Sequence, residues 1–209
     1  MENILALDNK LFLAINGAWS PYLDPLMELF SAVKVWFPLY IAIAVAVFFR
    51  KCYATVCGGY AVKRNIMRGK FFLAGIAAVA FCILGYLACD WGANLVKALV
   101  HRPRPGFDIA TAIGRFPTGK GSPYGFFSAH AANTFCFALL TSSILGSRIL
   151  RWCFMIWASL VSYSRIYLGY HFPLDVIVGI IWGLCVAILL RRIFKFVIRK
   201  IADAYPQTR

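Results

Sequence analysis

The stretch FFLAGIAAVAFCILGYLACDWGANLVKALVHRPRP, residues 71–105, decides the class of this chain. Its first 26 residues, 71–96, carry a single charged side chain, Asp90. A helix that crosses a bilayer needs about 20 mostly apolar residues, so this run is long enough. It then breaks onto cations: Lys97, Arg102 and Arg104 follow within eight residues. That is the pattern of a spanning helix delivering charge to one membrane face. Working outward, comparable apolar runs cover residues 31–49, 127–146, 152–169 and 172–190. The expected fold is therefore all-α, a polytopic membrane bundle of five spans, with boundaries good to a few residues.

Composition agrees. Hydrophobic residues make up 61% of the 209 and charged residues 14%, against about 45–50% and ~25% in soluble domains. The formal net charge is +14. The basic residues lie between apolar runs and not along one soluble face, which argues against a nucleic-acid partner. Seven cysteines, odd in number and without a CxxC pair, mostly sit inside apolar runs and read as small buried side chains.

The opening MENILALDNKLFLAING lacks a basic n-region, and Asp8 and Lys10 interrupt its apolar residues, so no cleaved leader is expected. Leu5, Leu7, Leu11, Phe12 and Ile15 fall at roughly helical spacing over residues 4–18. This predicts an amphipathic helix lying in the interface, with a sixth short span as the alternative. The whole, 1–209, reads as one membrane-embedded domain with an interfacial segment over 1–30.

Orientation follows from the basic residues, which are enriched in cytoplasmic loops. Residues 50–70 hold Arg50, Lys51, Lys63, Arg64, Arg68 and Lys70. The 147–151 loop holds Arg148 and Arg151, and the tail holds Arg191, Arg192, Lys195, Arg199, Lys200 and Arg209. With five spans these segments share the cytoplasmic side. The 97–126 loop, the 170–172 turn and the N-terminal segment then face outward. Trp36, Trp91 and Trp152 lie near span ends, as interfacial belts require.

On the outward side a small set of chemistry-bearing residues remains. Lys97, Arg104 and Arg165 are fixed cations suited to an anion with several oxygens. Ser128 opens a span, where free backbone N–H groups favour an anion. His171 and Asp175 are four apart and face each other on one helix; the carboxylate can fix the imidazole tautomer and free the other nitrogen to attack. His130 is placed to act as a general acid. Too few carboxylates gather for magnesium, so no metal or cofactor is expected; a zinc site from His130, His171 and Asp175 would lie among cations.

Lys97-x6-Arg104-Pro105, then Phe127-Ser128-Ala129-His130, then Ser164-Arg165-x5-His171-x3-Asp175 resembles the tripartite signature of the type 2 phosphatidic acid phosphatase superfamily. That family writes its motifs KxxxxxxRP, PSGH and SRxxxxxHxxxD. The resemblance implies a metal-independent hydrolase that uses His171 as nucleophile, Asp175 as its orienter and His130 as acid and then base. It implies that Lys97, Arg104, Ser128, Arg165 and the Ala129 backbone N–H hold the phosphate. The substrate would be a lipid phosphomonoester or pyrophosphate in the bilayer. Undecaprenyl pyrophosphate, phosphatidylglycerol phosphate, phosphatidic acid and lipid A phosphates are all handled by similar proteins. The place expected is a bacterial cytoplasmic membrane, with the site facing the periplasm or outside.

Two positions depart from the family pattern: Phe127 stands for proline and Ala129 for glycine. Alanine is the least intrusive replacement unless the backbone needs a positive φ. Arg102 and His101 flank the first motif without matching it, and Asp90 reads as a structural partner for a basic residue. Arg115 and Lys120 read as a solvated loop, and Tyr163, Tyr167 and Tyr170 as packing. Transfer of the phosphoryl group to a hydroxyl, or lipid or anion transport without catalysis, are the alternatives. Oligomeric state is left open.

Overall fold

The computed structural model describes residues 2–56, 64–107 and 123–203, and the side chains of 2–49, 72–107 and 123–201. Seven helices occur among them: α1 (Glu2–Gly17), α2 (Asp24–Ser31), α3 (Phe37–Val56), α4 (Arg64–Val100), α5 (Ala129–Leu145), α6 (Arg148–Tyr167) and α7 (Pro173–Asp203). Short 3-10 turns fill Val33–Trp36 and Pro105–Phe107, and the described residues contain no strand beyond an isolated Pro103–Tyr124 bridge. The expected all-α class is what is found.

Each of the five apolar runs is a helix, with shifted ends. By length and composition Phe72–Val100 and Pro173–Ile201 can each cross a bilayer. A third candidate is Asp24–Ser31 with Val33–Phe49, bent by 66° at its break. α4 has 37 residues, about 55 Å at 1.5 Å per residue, well beyond the ~30 Å hydrocarbon core. Lys97 thus sits in the last turn of an overlong helix.

α5 is the axis of the bundle. It is apolar on every face, as a helix surrounded by others should be. It packs against α3, α4, α6 and α7, and buries among others Ala131, Ala132, Cys136, Leu140 and Ile144. Its start and end are set locally. Ser128 caps it, the Oγ accepting from the Ala131 N–H, and Gly146 ends it in the left-handed region at φ 69. Ser147 then caps α6 by accepting from Leu150 N–H.

α7 lies directly on the α5 backbone. A Cβ on Gly179 would stand 2.5 Å from the Ser128 carbonyl oxygen, and one on Gly183 would stand 2.2 Å from that of Ala132. Glycine here lets two main chains touch. This contact brings the N-terminus of α5 beside that of α7.

α1 is a helix where one was expected, but its faces are arranged differently. Asp8, Phe12 and Asn16 are its buried side chains, one per turn on a single stripe. Leu5, Leu7 and Leu11 turn outward. Phe12 meets the Phe172 ring edge-on at 5.4 Å, and Asn16 donates to the Tyr167 carbonyl at 2.9 Å. α1 is therefore docked onto the α6–α7 junction through a stripe with two polar members. α2 has no counterpart in the apolar runs.

Candidate active site

The site is built from helix ends. α4 ends at Val100, and His101 adopts φ 51, a left-handed conformation in which histidine is among the commoner non-glycine residues. This turns the chain so that residues 102–104 run beside 123–125. Arg104 N–H donates to the Pro123 carbonyl and Gly125 N–H to that of Arg102, both at 2.9 Å. The Arg104 side chain reaches the Tyr124 carbonyl at 3.3 Å and the Tyr170 carbonyl at 3.5 Å. Burial lowers its pKa while Asp175 opposes the shift; a guanidinium stays charged through such changes.

α6 ends at Tyr167, and Gly169 at φ 78 reverses the chain. Tyr170 and His171 N–H groups both donate to the Arg165 carbonyl, at 2.9 and 3.2 Å. His171 is thereby folded back over the α6 terminus. It precedes α7, which begins at Pro173, so the expectation of both residues on one helix is corrected in detail. Proline at the first helical position suits the helix start. Asp175, in the first turn, still faces the ring: His171 Nδ1 lies 3.5 Å from Asp175 Oδ2. His171 is 2% exposed and Asp175 0%.

Asp175 is held on both oxygens. Oδ2 accepts from Phe172 N–H at 3.1 Å and Oδ1 from Arg102 at 2.7 Å. The Arg165 guanidinium stacks on the Tyr170 ring at 3.8 Å and donates to Ser31 Oγ. Arg165 Nε and His171 Nδ1 are buried and have no hydrogen-bond partner among the described residues. Burial and the charges of Arg165, Arg104 and Lys97 push the His171 imidazole well below the ordinary histidine range; a Gly125 backbone contact works weakly against them. The ring is therefore neutral near pH 7, the form with a lone pair to donate.

The eight residues that the three motifs pick out, Lys97, Arg104, Ser128, Ala129, His130, Arg165, His171 and Asp175, lie in this junction or at its rim. Ser128, Arg165, His171 and Asp175 are buried. Lys97, Arg104, Ala129 and His130 are partly exposed around them. His130 interacts electrostatically with His171, Arg165, Lys97 and Arg104. Ala129 needs no glycine, because His101 is the only non-glycine residue with positive φ among those described. Phe127 is buried against Trp182 at 5.5 Å, which gives it a packing role in place of proline's turn. Asp90 accepts from the Asn94 side chain at 3.1 Å and also acts electrostatically on Lys97. Arg115 and Lys120 lie outside the described residues.

The sequence reading missed four contributors. Asp8 and Arg102 form an ion pair at 2.5 Å that continues to Asp175. Tyr170, assigned to packing, underlies Arg165, and Ser31 bonds it. Only the proximity of Arg102 to the first motif could have signalled any of them. A cavity of about 280 Å³ opens beside Arg165, lined by Glu28, Ser31, Ala32, Arg165, Leu168 and Tyr170.

Residues 70–199 match the model of the PAP2 superfamily. Lipid A 4'-phosphatase of Porphyromonas gingivalis is 31% identical over 94% of this chain and 76% of its own length. Lipid A 4'-phosphatase of Bacteroides thetaiotaomicron is 30% identical over 88% of this chain and 75% of its own. Two crystal structures share the fold. The transmembrane PAP2-type phosphatidylglycerolphosphate phosphatase of Bacillus subtilis superposes with a TM-score of 0.64 at 20% identity, over 100% of this chain and 90% of that one. Aquifex aeolicus LpxE gives 0.59 at 23%, over 88% and 93%.

Proposed function

This chain belongs to the PAP2 superfamily as a multi-pass membrane phosphatase, and from that premise we propose that it hydrolyses a phosphomonoester of lipid A through a phosphohistidine. The observation that carries the reading is the buried His171–Asp175 pair, set within the field of Lys97, Arg104 and Arg165. The two relatives named lipid A 4'-phosphatase support the substrate.

The chemistry proceeds in two displacements. Lys97, Arg104 and Arg165 neutralise the phosphate oxygens, helped by the Ser128 hydroxyl and the free N–H groups at the start of α5. The free nitrogen of His171 attacks phosphorus, forming the P–N bond. The Asp175 carboxylate, facing the Nδ1 side, stabilises the positive charge that develops on the imidazole. The bond from phosphorus to the lipid oxygen breaks, and His130, protonated once the bound phosphate offsets the cations around it, gives its proton to that oxygen. Neutral His130 then takes a proton from water. The water oxygen attacks phosphorus, the P–N bond breaks, inorganic phosphate leaves and His171 is restored. Charge on the equatorial oxygens is met throughout by the same cations.

For topology, α3 to α7 make five crossings, with α1 and α2 against the outer face. The site then opens toward the periplasm of a bacterial cytoplasmic membrane. Arg148 and Arg151, at the other end of α5 and α6, support that orientation. A site at the rim of the bilayer lets the acyl chains stay in the leaflet while the sugar phosphate reaches His171. The test is phosphate release by the purified protein in detergent with EDTA. The substrates are bisphosphorylated lipid A, undecaprenyl pyrophosphate, phosphatidylglycerol phosphate and phosphatidic acid. Release from the lipid A 4'-position above the other three, lost in His171→Ala, supports the reading. Release confined to another lipid removes the substrate assignment. A requirement for added metal removes the mechanism.

A further inference from the structure

We propose that Asp8, carried by the N-terminal helix, is a positioning residue of the catalytic centre that acts through Arg102 to hold Asp175 against His171. The inference rests on the phosphatase reading above. It begins with a helix start that lacks its own cap. The first residue of α7 is Pro173, which puts Phe172 at the N-cap and Asp175 three residues on. In a capping box the third residue reaches back to the N-cap N–H while a Ser or Thr side chain at the N-cap accepts from inside the first turn. Asp175 does its half, since its Oδ2 accepts from Phe172 N–H. Phe172 has no acceptor with which to do the other.

Asp8 supplies it from 166 positions away in sequence, its Oδ1 accepting from Leu174 N–H at 2.8 Å. The other oxygen, Oδ2, accepts from the Arg102 guanidinium at 2.5 Å, whose second nitrogen donates to Asp175 Oδ1 at 2.7 Å. One planar fork thus spans two carboxylates. The Phe172 ring lies under the guanidinium at 4.3 Å. Side-chain exposure along the chain Asp8, Arg102, Asp175 is 5, 15 and 0%, so these charge-assisted bonds work where water screens little.

The consequence concerns the orienting carboxylate. Asp175 has one oxygen turned to His171 and the other bound by Arg102. Without Asp8, Arg102 has a single carboxylate partner among the described residues, and its fork can rotate to chelate both Asp175 oxygens. That would withdraw Oδ2 from the ring. Asp8 prevents it by occupying the second arm.

The test separates this role from mere docking of α1. Asn16, two turns on, also anchors that helix, its side-chain amide donating to the Tyr167 carbonyl. Asp8→Asn should lower kcat about tenfold with little change in KM. Asn16→Ala should lower the melting temperature while kcat, measured below both transitions, stays near wild type. In the background Arg102→Gln, adding Asp8→Asn should cost little further, because Asp8 acts through the missing group. If Asp8→Asn alone folds poorly, Arg102→Gln alone breaks the same link and should show the same kcat loss with little change in KM; wild-type kcat there overturns the proposal. Wild-type kcat in Asp8→Asn overturns the proposal. So does an equal kcat loss in Asn16→Ala, or full additivity with Arg102→Gln. A wild-type protein that releases no phosphate from any lipid overturns the phosphatase reading instead.

Discussion

Ser128 donates its backbone N–H to the carbonyl oxygen of Asp175 at 3.0 Å. One bond therefore joins the cap of α5, two residues before His130, to the first turn of α7, which carries the partner of His171. The second and third sequence motifs form one rigid joint, closed underneath by Gly179.

That joint predicts the cost of a methyl group. Gly179→Ala and Gly183→Ala push a Cβ into main-chain oxygens that cannot swing away. Each should destabilise the protein by about 1–3 kcal/mol. Gly179→Ala should also lower kcat, because it displaces Ser128. Thermal unfolding in detergent checks this, with Gly17→Ala as a control: nothing lies within 4 Å of its Cβ, so a change within about 0.5 kcal/mol is expected.

The orienting role of Asp175 predicts a kinetic signature. Asp175→Asn keeps the volume but offers an amide where a carboxylate set the tautomer. By analogy with other His–Asp pairs, kcat should fall about 10³–10⁴-fold. Steady-state kinetics with the full-length protein measures it, and a loss below tenfold would contradict the role.

Arg165 should not tolerate lysine. Its planar guanidinium stacks on Tyr170 and bonds Ser31 at the same time, and a lysine ammonium cannot do both. Arg165→Lys should lower kcat/KM at least tenfold while Arg151→Lys, at the opposite end of α6, leaves it unchanged.

The depressed His171 pKa predicts a pH dependence of stability. An unfolded histidine titrates near 6.5, whereas folded His171 takes up its proton only well below that. As pH falls past about 6.5 the unfolded chain binds a proton the folded chain refuses, so stability declines with acid. Between pH 7.5 and 5.5, wild type should lose more stability than His171→Asn, in which that proton is absent from both states. Equal losses would contradict a buried neutral ring.

The helices were legible because each apolar run is long and bounded by charge, as residues 71–97 illustrate. Their ends were not. α7 continues to Asp203 through Arg191, Arg192 and Lys195, which are good helix formers that hydropathy scores as loop. α2 is eight residues with a proline near its start, too short to register as a period. The candidate site was legible through spacing, which picks out Lys97, Arg104, Ser128, His130, Arg165, His171 and Asp175. Asp8 was not, because a lone carboxylate in an amphipathic stretch reads as a wet face. Only the docking of α1 through Phe12 and Asn16 turns it inward to Arg102.

The most direct test of the central claim is to trap the covalent intermediate. Lipid A labelled with ³²P at the 4'-phosphate is mixed with the protein and quenched in alkali, where a P–N bond to histidine survives and acyl phosphates do not. Wild type should carry protein-bound label that acid releases. His130→Ala, slowed in the step that activates water, should retain it longer, and His171→Ala should carry none. Label that persists in His171→Ala, or phosphate release by wild type with no labelled protein at any quench time, would contradict the phosphohistidine mechanism.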